Sequence, residues 1–345
     1  MWNKYKYFLA YLLPATALWG IYNGGYLTFT GVAFSFVLLP FLELFFRGTP
    51  ENHEQDSEIT LQTQKFYDFL LYFNIPVLYG ILFFFLSKVN DFNTLEMIGS
   101  VLSTGILVGS TGINVAHELG HRQSKMEQFF SKILLLPALY MHFFIEHNRG
   151  HHKTVGTDDD PVSAKKGEII YLFWIKAIVG EFISAWNLEK ELLQKNKQSV
   201  IGLHNEMIRF QLVQYGYLAG IFVSFGITGL LAALAVALIG VLLLETINYI
   251  EHYGLRRKKM PNGFYEPVLP KHSWNSDHEL GRIMLYELTR HSDHHYKSTR
   301  KYQILRHFDD SPQLPMGYPA ALLLALLPPL WFYTMDKRLE KINME

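Results

Sequence analysis

Long apolar blocks at about 7–22, 26–46, 67–87 and 97–116, and a nearly continuous run at 212–250, limit what this chain can fold into. A helix crosses the hydrocarbon core of a bilayer with roughly 20 apolar residues. Each block therefore reads as a membrane span. The run at 212–250 is too long for one crossing and carries GITG at 226–229, which divides it into spans at 212–227 and 229–250. Six spans result. Pro14, Pro40 and Pro76 fall inside them, which membrane helices tolerate when neighbours satisfy the freed carbonyls. The opening MWNKYKYFLAYLLPATALWG has no A-x-A site and runs at once into a second apolar block. It reads as the first span rather than a cleaved signal.

Charge placement orients the spans. NGG links the first two, GIT the last two, and SKVNDFNTLE, with Lys88 alone, the third and fourth. The remaining Lys and Arg sit at the amino terminus, around 47–65, across 117–210 and beyond 252. Positive charge stays on the cytoplasmic side, so both termini are predicted there. The expected fold is an all-α integral membrane protein, a single membrane-embedded catalytic domain over 1–345. Six transmembrane helices carry a cytoplasmic helical cap built from 117–210 and 252–345. Apolar pieces at 169–186 and 319–335 are short or interrupted, and suit interfacial or re-entrant helices. A formal net charge of zero leaves no nucleic-acid footprint.

Cysteine is absent and histidine numbers 15. Disulfides, thiolate nucleophiles, cysteine zinc sites and iron–sulfur clusters are thereby excluded. Any metal must be held by His, Asp or Glu.

Nine histidines fall into four clusters: His117 and His121 in HELGH, then His147, His151 and His152 in EHNRGHH, His252 in NYIEHYG, and His291, His294 and His295 in RHSDHH. Helix positions i and i+4 share a face, which suits two imidazoles converging on one ion. His117/His121, His147/His151 and His291/His295 have that spacing, and His291/His294 the i, i+3 version. On this reading His147 and His151 form a same-face pair. The adjacent pairs His151–His152 and His294–His295 point about 100° apart on a helix and would serve different ions or leave the helix at its end. The predicted topology brings all nine to one face of the bundle, where two ions with four or five ligands each would use them all. Imidazole suits iron, zinc, copper and nickel alike.

Carboxylates accompany every cluster. Glu118, Glu146, Glu251 and Asp293, with Asp158, Asp159 and Asp160 in TDDDP, are candidates to orient metal-bound histidines. Glu118 and Glu251 adjoin or lie next to a ligand in sequence and so should point elsewhere on the helix, supporting rather than ligating. His53, His142, His204, His272, His278 and His307 lie outside these spacings and read as surface or supporting residues.

HELGHR (117–122), EHNRGHH (146–152), NYIEHYGL (248–255) and LTRHSDHH (288–295) together resemble the integral-membrane alkane 1-monooxygenases. The histidine boxes are shared more widely with membrane fatty-acid desaturases and hydroxylases, and NYIEHYGL is the discriminating element. Arg122 and Thr289 are mild departures, at positions where lysine and glutamine are frequent. The resemblance implies two non-haem iron ions ligated by the nine histidines. It also implies terminal hydroxylation of an n-alkane with O2, in a bacterial inner membrane, with electrons from rubredoxin, its reductase and NADH. With no cysteine in this chain, the electron carrier must be a separate protein. The basic run Arg256–Lys259 could dock an acidic rubredoxin or act as a juxtamembrane anchor. Tyr22, Tyr26, Phe36 and Phe45 either line a substrate channel or pack the core.

Three other readings compete. A desaturase or hydroxylase of lipid acyl chains would share the boxes but not NYIEHYGL. A zinc protease built on HELGH would leave seven clustered histidines unused. A metal transporter would place ligands along the middle of its spans.

Overall fold

A computed structural model describes residues 4–46 and 48–342. The tips of the expected domain and Arg47, in the basic stretch used for orientation, lie outside the described residues. Among the described residues the regular elements are all helical, beside two isolated bridges, Lys259 with Tyr265 and Asn275 with Gln313.

The first expected span is a 3-10 segment, Lys4–Tyr11, followed by α1, Leu12–Asn23. Then come α2 (Gly25–Glu43), α3 (Gln55–Thr63), α4 (Lys65–Lys88), α5 (Thr94–Gly120) and α6 (Lys125–Leu135). A short helical segment, α7 (143–154), contains a π turn at His147–His151. The remainder is α8 (Ile170–Lys195), α9 (Glu206–His252), α10 (Glu279–Met284), α11 (His291–Tyr296), α12 (Tyr318–Ala325) and α13 (Pro328–Ile342).

Helices α2, α4, α5 and α9 are long and apolar enough to cross a bilayer, and the α12–α13 pair, bent by 120°, makes a fifth if counted as one span. The first expected span falls short by this measure because α1 alone has 12 residues. Helix α9, at 47 residues, would be about 70 Å long if straight, far beyond a hydrocarbon core of roughly 30 Å. Its break is at Gly226, φ 68° and ψ −167°, a conformation open essentially to glycine alone. GITG thus divides the helix where the sequence predicts.

The chain forms two compact units. The first comprises Met1–Leu38, Lys65–Ile145 and Ala185–Leu244. Its packing depends on small residues. A Cβ on Gly105 would lie 2.5 Å from the Ile239 side chain, and one on Gly109 2.7 Å from Leu243. The backbones of α5 and α9 therefore approach closely, as membrane helices do where Gly recurs at four-residue spacing. The amino end of α5 is held by a capping box. Asn93 accepts the Glu96 N–H at 3.0 Å, and Glu96 accepts the Asn93 N–H at 3.0 Å and the Gly25 N–H at 2.7 Å. Tyr22, Tyr26 and Phe45 are 75, 82 and 68 % exposed. At that exposure they do not pack the core.

The second unit comprises Leu39–Gln64, Glu146–Ser184 and Glu245–Glu345. Its centre is the end of α9. The Tyr249 hydroxyl donates to the Glu168 carbonyl at 2.6 Å, and the Trp274 indole to the Tyr253 carbonyl at 2.9 Å. The amino end of α11 is fastened where the Ser292 N–H donates to Asn275 Oδ1 at 2.8 Å and its hydroxyl to the Ser273 carbonyl at 2.9 Å. These bonds hold α11 against the strand-like stretch that follows α9, and so bring RHSDHH to NYIEHYG.

Candidate metal centre

Seven of the nine clustered histidines belong to the second unit. Four of them, His151, His252, His291 and His295, are buried and present ring nitrogens within 4.8 Å of one another. His295 Nε2 lies 3.2 Å from His151 Nε2 and 2.9 Å from His291 Nε2, which in turn is 3.2 Å from His252 Nε2. Two metal–nitrogen bonds of about 2.1 Å separate their nitrogens by about 3.0 Å at a right angle and about 3.4 Å at the tetrahedral angle. The two spacings of 3.2 Å fall in that range and the third, 2.9 Å, lies 0.1 Å below it. Hydrogen bonding accounts for them poorly, because a neutral imidazole has one N–H and His295 Nε2 faces two other nitrogens. The donor set fits a cation at the point of convergence.

His147, His152 and His294 form a second group, with His152 Nε2 3.0 Å from the Nε2 atoms of both the others. The expected same-face pair of His147 and His151 is therefore corrected, since the two belong to different groups. The cause is the π turn, in which the His152 N–H bonds to the His147 carbonyl. Such an i→i+5 turn carries roughly one extra residue, so 147 and 152 share a face instead of 147 and 151. The adjacent pairs do divide. His151 and His295 join the group of four, while His152 and His294 join the other.

In the first unit, His117 and His121 close α5 with ring centroids 5.1 Å apart, edge to face. The Arg122 guanidinium pairs with Glu118 at 2.6 Å and lies 3.6 Å from Asp68. Neither histidine of HELGH belongs to the group of four, so a site built on that motif alone does not account for it. Of the remaining histidines, His53 and His204 are exposed, whereas His142 and His272 are buried.

The carboxylates differ in what they hold. Asp160 lies 3.1 and 3.2 Å from His151 Nδ1 and accepts the Ser163 hydroxyl. The Nδ1–H of His151 is thus committed outward and its Nε2 lone pair left for the centre, the arrangement typical of metal-bound histidine. Burial alone would lower the His151 imidazole, but the Asp160 charge raises it. Burial would likewise raise Asp160, but the imidazole and Ser163 bring it below the ordinary carboxylate value. Asp158, by contrast, is at the surface, 3.3 Å from Lys165.

Glu146 is pushed up to about 8 by burial first and the Asp160 charge second, and accepts the Ser184 hydroxyl at 3.1 Å. Asp293 is held by arginine and backbone donors. It accepts two 2.6 Å contacts from Arg300 and the Arg306 N–H at 2.8 Å. Glu251 departs from expectation. Its Oε2 lies 3.1 Å from His291 Nε2, the nitrogen that faces the group of four, while Oε1 accepts the Tyr318 hydroxyl at 2.7 Å. A residue adjacent to His252 reaches the centre because α11 folds across the end of α9. Tyr318 has no sequence signal, standing 67 positions from its partner.

His295 is held well below its ordinary value, by burial first and the neighbouring imidazoles second. Neutral imidazole is the form that ligates.

Helical among its described residues, with helices of bilayer length and groups of imidazoles that could hold a metal ion, the chain has the make-up of a membrane protein of the histidine-box class. Comparison with known proteins places it further. Residues 94–325 match the family described as fatty acid desaturase. Alkane 1-monooxygenase 1 of Pseudomonas aeruginosa is 39% identical over 97% of this chain and 91% of that protein. Alkane 1-monooxygenase of Ectopseudomonas oleovorans is 38% identical over 97% and 85%. The xylene/toluene monooxygenase hydroxylase component of Pseudomonas putida is 29% identical over 96% and 88%. The chain belongs to the fatty acid desaturase family, on its alkane 1-monooxygenase branch.

Proposed function

We propose that the protein hydroxylates the terminal carbon of n-alkanes, one oxygen atom of O2 entering the 1-alkanol and the other leaving as water with two electrons and two protons. The observation that carries this reading is the convergence of His151, His252, His291 and His295 in a chain 38–39% identical to alkane 1-monooxygenases. The nine clustered histidines are proposed as ligands of two iron ions, which when bound would supply the redox chemistry that O2 needs. The family model that spans the boxes supports a metal centre of this kind.

The chain's own residues supply the setting. Neutral imidazoles add no charge, so they can hold an ion through changes of oxidation state. Asp160 keeps a proton on His151 Nδ1, which orients the ring and raises its basicity. Tyr318 holds one oxygen of Glu251 and leaves the other facing His291. His151, His252, His291 and His295 are at most 6 % exposed, and the burial keeps bulk water from the site.

The proposed setting is a bacterial inner membrane, with six spans, both termini cytoplasmic and one catalytic domain over 1–345. Rubredoxin, reduced by its reductase and NADH, is proposed as the electron donor. The basic run serves that docking less than its charge suggests. Arg256 donates to the Thr157 and Ser163 carbonyls, and Arg257 to those of Glu266 and Lys153. Lys258 and Lys259 remain exposed.

Metal analysis of the purified protein, then turnover of octane with O2, rubredoxin, its reductase and NADH, tests the reading. Two irons per chain and 1-octanol are expected. One zinc per chain, or oxidation of acyl lipid in place of octane, would overturn it.

A further inference from the structure

Helix α8 carries large apolar side chains that its unit leaves uncovered. Tyr171, Leu172, Ile175, Val179, Phe182 and Ile183 are 46, 63, 65, 53, 39 and 53 % exposed. At about 100° per residue they occupy a stripe about 120° wide that contains no charged side chain. The opposite face is fixed in place. Phe173 and Ala177 are buried, Phe173 meets Tyr249 edge to face at 5.3 Å, and the Trp174 indole donates to Thr246 Oγ1 at 3.1 Å. The exposed stripe is thus the free side of a well-packed helix.

It does not stand alone. The Tyr171 hydroxyl donates to the Leu326 carbonyl at 2.7 Å, which sets the stripe beside the α12–α13 hairpin. There Leu323, Leu327, Leu330 and Tyr333 are again exposed. Two lysines stand at its edges, Lys176 paired with Glu168 at 2.8 Å beside the packed face and Lys337 over the exposed Tyr333 ring. Lys176 lies 4.8 Å from the Phe173 ring centroid and Lys337 3.6 Å from that of Tyr333. Continuous apolar surface marks a partner, and an uncharged stripe edged by cationic and aromatic side chains is the pattern of a helix lying at a lipid interface.

We propose that α8 and the α12–α13 hairpin lie in the plane of the bilayer surface, their apolar side sunk about 5–10 Å into the boundary between headgroups and acyl chains. The proposal rests on the membrane reading of the long helices. The unit that carries seven of the histidines is then seated on the acyl chains in which an alkane dissolves. Tyr318, which holds Glu251, stands at the start of the embedded hairpin.

The absence of cysteine makes the test direct. Single cysteines replace Ile175 and Val179, with Leu172 as a third position, and carry nitroxide labels in protein reconstituted into phosphatidylcholine vesicles. Collision with O2 is compared with collision with a water-soluble nickel chelate. Val223, 83 % exposed on α9, serves as the lipid control, and Asp158, with a side chain 71 % exposed, as the aqueous one. The expected result is an O2-dominated ratio at the α8 positions, as at Val223, reversed at Asp158. A nickel-dominated ratio at the α8 positions would show that they face water, and low collision with both reagents that a second copy covers them. Either overturns the proposal. A nickel-dominated ratio at Val223 would instead bring down the membrane reading, and this proposal with it.

Discussion

Asp160 accepts the Nδ1 hydrogen of His151 at 3.1 Å and so decides which nitrogen of that ring can face a metal ion. The aspartate is nine positions along the chain and comes from a loop, TDDDP, whose other two carboxylates are exposed. Asp160→Asn removes the charge and part of the tautomer preference while keeping the shape. Loss of such an outer partner typically costs 10- to 100-fold in metal affinity or activity, about 1.4–2.7 kcal/mol. Iron per chain and 1-octanol turnover should both fall, and wild-type values for both would show that His151 needs no such partner.

Glu58 and Arg306 make a second long-range link, with two contacts of 2.6 and 2.5 Å across 248 positions. The Arg306 guanidinium, first by hydrogen bonding, holds Glu58 below its ordinary value of 4.5. A lowered carboxylate stabilises the fold above its unfolded value and loses that contribution as pH falls through the lower, folded one. Stability should therefore drop below about pH 4.5 in the wild type. Because Arg306 is 36 % exposed, the contribution is on the order of 1 kcal/mol. Glu58→Gln should be less stable at neutral pH and show a shallower acid limb in thermal unfolding, whereas parallel limbs would rule out this pair as a source.

Gly226 breaks α9 in a conformation that other residues occupy at a cost of about 1–3 kcal/mol. No atom lies within 4 Å of a Cβ built there, so the penalty is in the backbone and not in packing. Gly226→Ala should lower the melting temperature in detergent with iron content unchanged. An unaltered melting temperature would mean that the break tolerates a side chain.

The basic run should separate into two halves. Arg256→Gln and Arg257→Gln each remove hydrogen bonds to loop carbonyls, worth about 1.5–3 kcal/mol for a charged donor, and should lower stability. Lys258→Gln with Lys259→Gln should leave stability and iron content alone and raise the rubredoxin KM. Equal effects from the two pairs would remove the distinction.

Much of this protein is legible in the chain. Apolar blocks mark the long helices because a bilayer sets their length. GITG marks the break in α9 because only glycine takes that backbone. Histidine clustering marks the centre because imidazoles rarely concentrate without a shared ligand. The partition of ligands was less legible. A spacing of four between His147 and His151 promises a shared face in an α-helix, and a single π turn reassigns His147 to His152 and His294.

Local pattern by itself determined what lies within one or two turns, namely helix length, the glycine break and the crowding of histidines. Only the tertiary structure decided the pairings between distant segments. It set Asp160 against His151, Tyr318 on Glu251 and Glu251 toward His291, and it tied Arg256 and Arg257 to loop carbonyls. Such contacts depend on how α11 and the loops fold across the end of α9, and the energy that selects them comes from burying polar groups with partners. That energy exists only once the chain is folded.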